Sequence, residues 1–297
     1  MVKSWLTLFR VPIIFSAMSN VYAGYFIGGG TGISFRMAAG MMVSALIVMA
    51  GMGLNDVADH RKDGLERPER PIPSGAISKT TAARVCIAML IGAILWTGYI
   101  HLPAIIPVIL LCYFIYLYNF VLKQGPYGPL AMAACRVSNF IFGLVLGLKG
   151  ISFLHLLDVK ILFLLLSLGA YIVLTTYLAK KETKGNSRER VNIFFIGLLI
   201  WLGLWALFLL FASTGSGIIF GFIVLILFIV FMRASFVMLL KTPSSKHTSK
   251  CVSNLLTFIP MVDMLAMFAS GVSVFYAVGA FIFVPLANIP RKSISNT

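Results

Sequence analysis

Long apolar runs separated by short polar loops dominate the chain. A helix that crosses a bilayer needs about 20 mostly apolar residues. Runs of that kind occupy residues 11–28, 37–54, 81–100, 103–122, 130–148, 161–179, 191–212 and 217–240. A last apolar stretch, residues 255–286, is too long for one crossing and too short for two with a turn. Gly271 interrupts it, which predicts a short entry helix followed by one crossing. The pattern therefore predicts an all-α polytopic membrane helical bundle with nine transmembrane helices, a single membrane domain over residues 1–297, and ten crossings as the alternative count.

Composition agrees with this pattern. Hydrophobic residues make up 60% of the 297 positions and charged residues 11%, with a mean hydropathy of +0.98. A soluble domain carries roughly 25% charged residues, so too few polar side chains remain to coat a water-facing surface. The net charge of +15 would suggest nucleic acid in a soluble chain. In a polytopic membrane protein it reflects basic loops facing anionic lipid.

With the N-terminus inside, the inner segments hold 16 basic residues and the outer ones five: Arg36, Lys149, Lys160, Arg291 and Lys292. That asymmetry predicts an N-terminus in the cytoplasm and a C-terminus outside, in the cell's inner (plasma) membrane. Residues 11–28 lead directly into further spans with no small-residue cleavage site, so they read as a crossing and not a leader. Cys86, Cys112, Cys135 and Cys251 are scattered singly and read as packing residues.

The acidic residues are concentrated. Five of nine lie within residues 55–75, NDVADHRKDGLERPERPIPSG: Asp56, Asp59, Asp63, Glu66 and Glu69. Asn55, Asp59 and Asp63 recur every fourth residue and share one helical face at the inner end of the second span. Carboxylates at i and i+4 repel by a few tenths of a kcal/mol. A divalent cation converts that repulsion into coordination, and Mg²⁺ commonly takes one or two carboxylates plus phosphate oxygens. Arg67 and Arg70 follow at a spacing that lets both reach one anion, and guanidinium forks suit phosphate. Pro68, Pro71 and Pro73 stiffen the connection, and Ser78 is placed to cap the third span. The alternative for this window is a solvated loop with ordinary ion pairs.

Buried polar residues add candidates. Arg136 and Asn139 fall one turn apart inside the fifth span, where an unpaired arginine is costly, so both should face the bundle or a chamber within it. Asn20 and Asp263 are similar, and Asp263 could pair with a buried arginine. Gly24/Gly28, Gly143/Gly147 and Gly217/Gly221 have the spacing of close helix packing.

NDVADHRKD fits the NDxxDxxxD pattern of the UbiA superfamily of intramembrane prenyltransferases, and RPERPIPSGAIS resembles its continuation. YNFVLK, from Tyr118 to Lys123, is similar to that family's Tyr-x-x-x-x-Lys segment, and LFRVPIIFS to the opening of its first span. The resemblance implies a membrane-open chamber that holds a prenyl diphosphate through Mg²⁺. The allylic C–O bond ionises there, and an aromatic or other lipophilic nucleophile captures the cation. Carried over, Asn55, Asp59 and Asp63 would hold metal, with Asp59 and Asp63 taking part in catalysis. Lys123 would neutralise the leaving diphosphate, with Tyr118 beside it in the substrate site.

One departure stands out. The family's second Asp-rich motif belongs between the sixth and seventh helices, where this chain reads YLAKKETKGNSRER. Glu182 is the one acid at the expected place, among Lys180, Lys181 and Lys184. Either these lysines supply positive charge directly to the diphosphate, with Glu182 as a residual metal ligand, or the loop is a topology signal. Two rival functions remain open: a carrier of a prenylated or anionic lipid, and a terpene cyclase that uses the same ionisation with an internal alkene as nucleophile.

Overall fold

The computed structural model describes residues 2–148, 157–182, 185–213 and 215–287. Every regular element among the described residues is helical. The helices are α1 (Val2–Phe9), α2 (Ile14–Ile27), α3 (Phe35–Glu66), α4 (Lys79–Ile100), α5 (Ile105–Tyr116), α6 (Gly128–Gly147), α7 (Val159–Ala179), α8 (Arg188–Ala212), α9 (Ser216–Lys241), α10 (Ser245–Thr257), α11 (Ile259–Ala269) and α12 (Val274–Gly279). Serine N-caps start several of them. Ser34 accepts from the Met37 amide, Ser78 from Thr81 and Ser187 from Arg190, each satisfying a donor left over in a first turn.

Eight helices are long and apolar enough to cross a membrane, and a bent pair at the N-terminus makes a ninth span among the described residues. The bend of 42° falls between α1 and residues 11–27. Arg10 sits at the break with φ 46°, the one non-glycine residue with positive φ among the described residues. A left-handed arginine costs about 1 kcal/mol or more.

The final crossing differs from the sequence expectation. Gly271 does break the chain, with φ 74°, but the crossing precedes it: α10 and α11 form one 25-residue span, Ser245–Ala269. The short apolar helix, Val274–Ala287, comes after the break and not before. Hydropathy hid the start of this span because α10 reads SKHTSKCVSN. Thr248, Cys251, Val252 and Leu255 are nevertheless buried, against α7 and α9.

Neighbours in sequence are mostly neighbours in space, and the ring closes where α11 packs on α2 and α9. α6 lies inside this ring against α2, α5 and α7. All 11 residues of α11 are buried, whereas α4 turns Ile91, Leu95 and Tyr99 outward, as lipid-facing surfaces require.

The α2–α6 contact is backbone on backbone. A Cβ on Gly24 would lie 2.5 Å from the Phe140 carbonyl oxygen, and one on Gly143 2.5 Å from that of Val21. Gly28 and Gly147 repeat the arrangement one turn on, against Leu144 and Tyr25. This is the close packing expected of small residues at four-residue spacing. Gly217 similarly abuts the Phe268 carbonyl, while Gly221 faces the Leu209 side chain. The four cysteines are free thiols, three of them buried.

Candidate active site

At 32 residues α3 is about 48 Å long, well beyond the roughly 30 Å hydrocarbon core. Its last turns therefore emerge at one membrane face and carry the acidic residues with them. The loop after it is pinned by apolar residues. Ile72 and Ile77 are buried with Leu8, Val57 and Ala82, and the Ile77 amide closes a turn on the Pro71 carbonyl. That anchoring folds Arg70 back over α3.

Asp56, Asp59 and Asp63 are each paired with a cation. Asp56, nearly fully buried, accepts from Arg10 at 2.6 Å and from Arg70 at 3.3 Å. Arg70 also donates to Asp63 at 2.6 Å, and Lys123 donates to Asp59. Burial pulls the Lys123 ammonium below its ordinary pKa, and the Asp59 bond opposes that pull. Arg67 is half-buried and pairs with no carboxylate among the described residues. The two arginines thus divide: Arg70 binds the chain's own acids, and Arg67 keeps its charge open.

The third member of the acidic face is set differently. Residues Leu117–Leu122 form a wide π-helical turn, a feature that recurs at functional sites. The turn brings Asn119 against α3, where it accepts from the Asn55 amide at 3.0 Å and donates to the Gly51 carbonyl at 3.1 Å. Lys123 follows the turn, 6.0 Å from the centre of the Tyr118 ring.

A narrow, largely apolar cavity of about 60 Å³ runs inward from this point. Asn55, Tyr118 and Asn119 line one part of it, Val48, Leu111, Ile115 and Met132 others, and Arg136 and Asn139 contribute its remaining polar groups. Arg136 donates to Ser16 at 3.0 Å and Asn20 at 3.3 Å. Asn139 donates to the Ala17 carbonyl and accepts from Ser44. Asp263 reaches Arg136 only through Asn20, with which it bonds at 2.8 Å. A wider hollow of about 480 Å³, beside Arg36 and Gly29–Gly30, holds no carboxylate.

The basic loop is tied elsewhere. Ser245 donates to the Glu182 carbonyl, the Asn186 amide bonds Pro243, and Arg190 stacks on Tyr177 at 3.9 Å. Lys180 does lean toward the site, donating to the Gly125 carbonyl two residues past Lys123. Lys181 is exposed, and Lys184 lies outside the described residues. Among the described residues no three carboxylate, imidazole or thiolate side chains converge on a common point, so Glu182 does not join the acids of α3 in a preformed cage.

The donors on α3 nonetheless suit Mg²⁺. Asp59 and Asp63 each use one carboxylate oxygen in their ion pairs and leave the other without a donor among the described residues. The Asn55 amide oxygen is likewise open, since its bond to Asn119 uses the nitrogen. One or two hard oxygen donors of this kind, with phosphate oxygens completing the shell, are what Mg²⁺ takes.

Three participants were not singled out from the sequence: Arg10, Asp56 as an ion-pair partner, and Asn119. A polar residue inside an apolar run was the available signal for Asn119. For the Arg10–Asp56 pair, 46 residues apart in the chain, no local pattern exists.

The model of the UbiA prenyltransferase family matches residues 17–258. The chain is 26% identical to the digeranylgeranylglyceryl phosphate synthase of Methanocaldococcus jannaschii over 284 residues, 91% of this chain and 96% of that one. It is 28% identical to the enzyme of the same name from Sulfurisphaera tokodaii over 144 residues, and there it spans about half (52%) of the relative's length. Among solved structures, a UbiA homologue from Archaeoglobus fulgidus bound to DMAPP and Mg²⁺ superposes with a TM-score of 0.67 at 16% identity, over 95% of this chain and 99% of that one. The apo UbiA homologue from Aeropyrum pernix K1 gives 0.68 at 14% identity, over 86% and 99%. Those two likenesses concern the fold. The matched family model covers most of the length, and this integral membrane chain belongs to the UbiA prenyltransferase family.

Proposed function

We propose that the protein transfers a prenyl group from a prenyl diphosphate to a lipophilic acceptor within the membrane. The observation that carries this reading is the gathering of Asp56, Asp59 and Asp63 with Arg10, Arg70 and Lys123 beside a narrow apolar cavity. Asn55 and Asp63 are about 12 Å apart along the helix axis, so one ion does not contact both directly. Asp59 stands between them, about 6 Å from each along the axis. Mg²⁺ bound there would neutralise charge that develops on the leaving diphosphate.

The chain's own groups do the rest. Lys123, Arg67 and Arg70 hold the diphosphate oxygens, Arg70 exchanging a carboxylate for phosphate as the ligand enters. Lys180 adds charge from the neighbouring loop. The apolar walls keep water from the allylic carbon as its C–O bond breaks and diphosphate leaves with the electron pair. The acceptor's nucleophile then forms the new bond and loses its proton. Arg136 and Asn139 hold the acceptor's polar head. The relatives' names describe a prenylated glyceryl phosphate, which favours an acceptor of that kind over an aromatic ring.

Purified protein incubated with Mg²⁺, a panel of prenyl diphosphates, and prenylglyceryl phosphate or aromatic acceptors tests this. Free diphosphate with a joined product is expected. Diphosphate with a cyclic hydrocarbon would make it a cyclase, and substrate movement across liposomes without diphosphate release would make it a carrier. We also place the N-terminus in the cytoplasm, since the acidic end of α3 shares a face with most of the basic loops. A reporter after Asn186 should read cytoplasmic and one after Thr297 external. A cytoplasmic reading at Thr297 would mean that residues after Gly271 cross again.

A further inference from the structure

Arg136 is more than nine-tenths buried in the middle of α6, yet no carboxylate among the described residues touches it. A buried arginine needs compensating charge. Here that charge is Asp263, fully buried on α11, and an amide separates the two. Asn20 on α2 donates its Nδ2 to Asp263 Oδ1 at 2.8 Å and accepts from Arg136 Nη1 at 3.3 Å on its Oδ1. Its orientation is forced, because a carboxylate only accepts and a guanidinium only donates. Ser19 donates to the second Asp263 oxygen at 2.6 Å, and Ser16 accepts from Arg136 Nη2. The carboxylate and the amide are thereby held, while two of the guanidinium's five N–H donors are used.

The open donors belong to a side chain that lines the cavity. Direct contact with Asp263 would form a closed ion pair, with its donors and field directed at the carboxylate. The interposed amide keeps Arg136 charged without occupying it.

We propose that Asp263 and Asn20 are positioning residues that hold Arg136 as a charged, open donor for the oxygen-bearing head of the acceptor. This rests on the prenyltransferase reading above. A hydrocarbon chain has nothing to accept from a guanidinium, and the diphosphate has its own cations at Lys123 and Arg70, so the acceptor head is the remaining partner.

The test is an exchange of the two side chains, Asn20→Asp with Asp263→Asn. Atoms, net charge and every hydrogen bond in the relay are preserved, but the carboxylate now sits on Arg136. Two readouts are taken on the full chain in detergent. The first is modification of Arg136 by methylglyoxal, mapped by mass spectrometry, which needs no activity. It should proceed in the wild type and fall about tenfold in the exchanged variant as the guanidinium is closed off. The second is turnover: KM for the acceptor should rise about tenfold, with KM for the prenyl diphosphate and kcat changed less than about twofold.

Equal labelling of the two proteins, or labelling that falls with acceptor KM unchanged, overturns the proposal. Should the exchanged variant not fold, a wild-type Arg136 that resists methylglyoxal while exposed Arg61 reacts overturns it too. Absence of turnover in the wild type counts against the prenyltransferase reading alone, since labelling still reports whether Arg136 is open.

Discussion

Asp59→Asn and Asp63→Asn should each lower Mg²⁺-dependent diphosphate release by about 10²–10³-fold, with the protein still inserted and monodisperse. The magnitude is that of removing one preorganised charge-stabilising group from a site where charge develops. Both substitutions keep the side chain's volume, and at the buried position 63 the Arg70 guanidinium keeps its bond to Asp56, so that ion pair is weakened and not stripped. Each replaces a charged oxygen donor that has an open coordination position with a neutral one, and Asp59→Asn also frees Lys123, whereas Arg70 keeps Asp56.

Glu182→Gln provides the contrast. The Glu182 backbone is held by Ser245, and its side chain joins no acidic cluster among the described residues, so release should stay within about threefold of wild type. Lys180→Ala with Lys181→Ala should fall between, through weaker diphosphate binding. Equal loss in Glu182→Gln and Asp59→Asn would mean that a second metal site forms when substrate binds, and the assignment of charge to lysines would be wrong. Unchanged Mg²⁺ dependence in both aspartate variants would remove the metal from α3 altogether.

Gly143→Ala should be among the most destabilising single-methyl additions in the chain, and its effect should reach the cavity. The new Cβ would lie 2.5 Å from the Val21 carbonyl oxygen and 2.8 Å from the Val21 Cα. Both are backbone atoms, so α2 and α6 must separate. Overpacking of this kind costs about 1–3 kcal/mol and occasionally more. Arg136 and Asn139 lie one to two turns away on α6 and bond Ser16, Ala17 and Asn20 on α2. Separation lengthens those bonds, so acceptor KM should rise as the melting temperature falls. Gly92→Ala is the control. It sits in α4 with nothing within 4 Å of the added carbon, and alanine is the better helix former there by about 1 kcal/mol. A Gly143→Ala protein that melts with the wild type would show that the two helices do not touch as described.

The first eight crossings, the acidic end of the second span and the glycine faces follow from the sequence by itself. A bilayer makes these features local: backbone groups must be satisfied within each segment, so length and apolarity alone mark a crossing. Four-residue recurrence alone puts Asn55, Asp59 and Asp63 on one face, or Gly24 and Gly28 on another. Membership of the family was legible for the same reason, since its first motif is a short spacing on one helix.

What the sequence did not determine depends on how separate helices meet. The last crossing begins in a polar segment, SKHTSKCVSN, and only packing against α7 and α9 shows which of its side chains are inside. Arg10 reaches Asp56 because a left-handed residue bends the chain there, and Asn119 reaches Asn55 because a π-helical turn rotates it inward. Asp263 could have paired with Arg136 directly. Tertiary structure set Asn20 between them, because α2 lies between α6 and α11, and the pairing of buried charges is decided by the backbone separations of elements far apart in the chain.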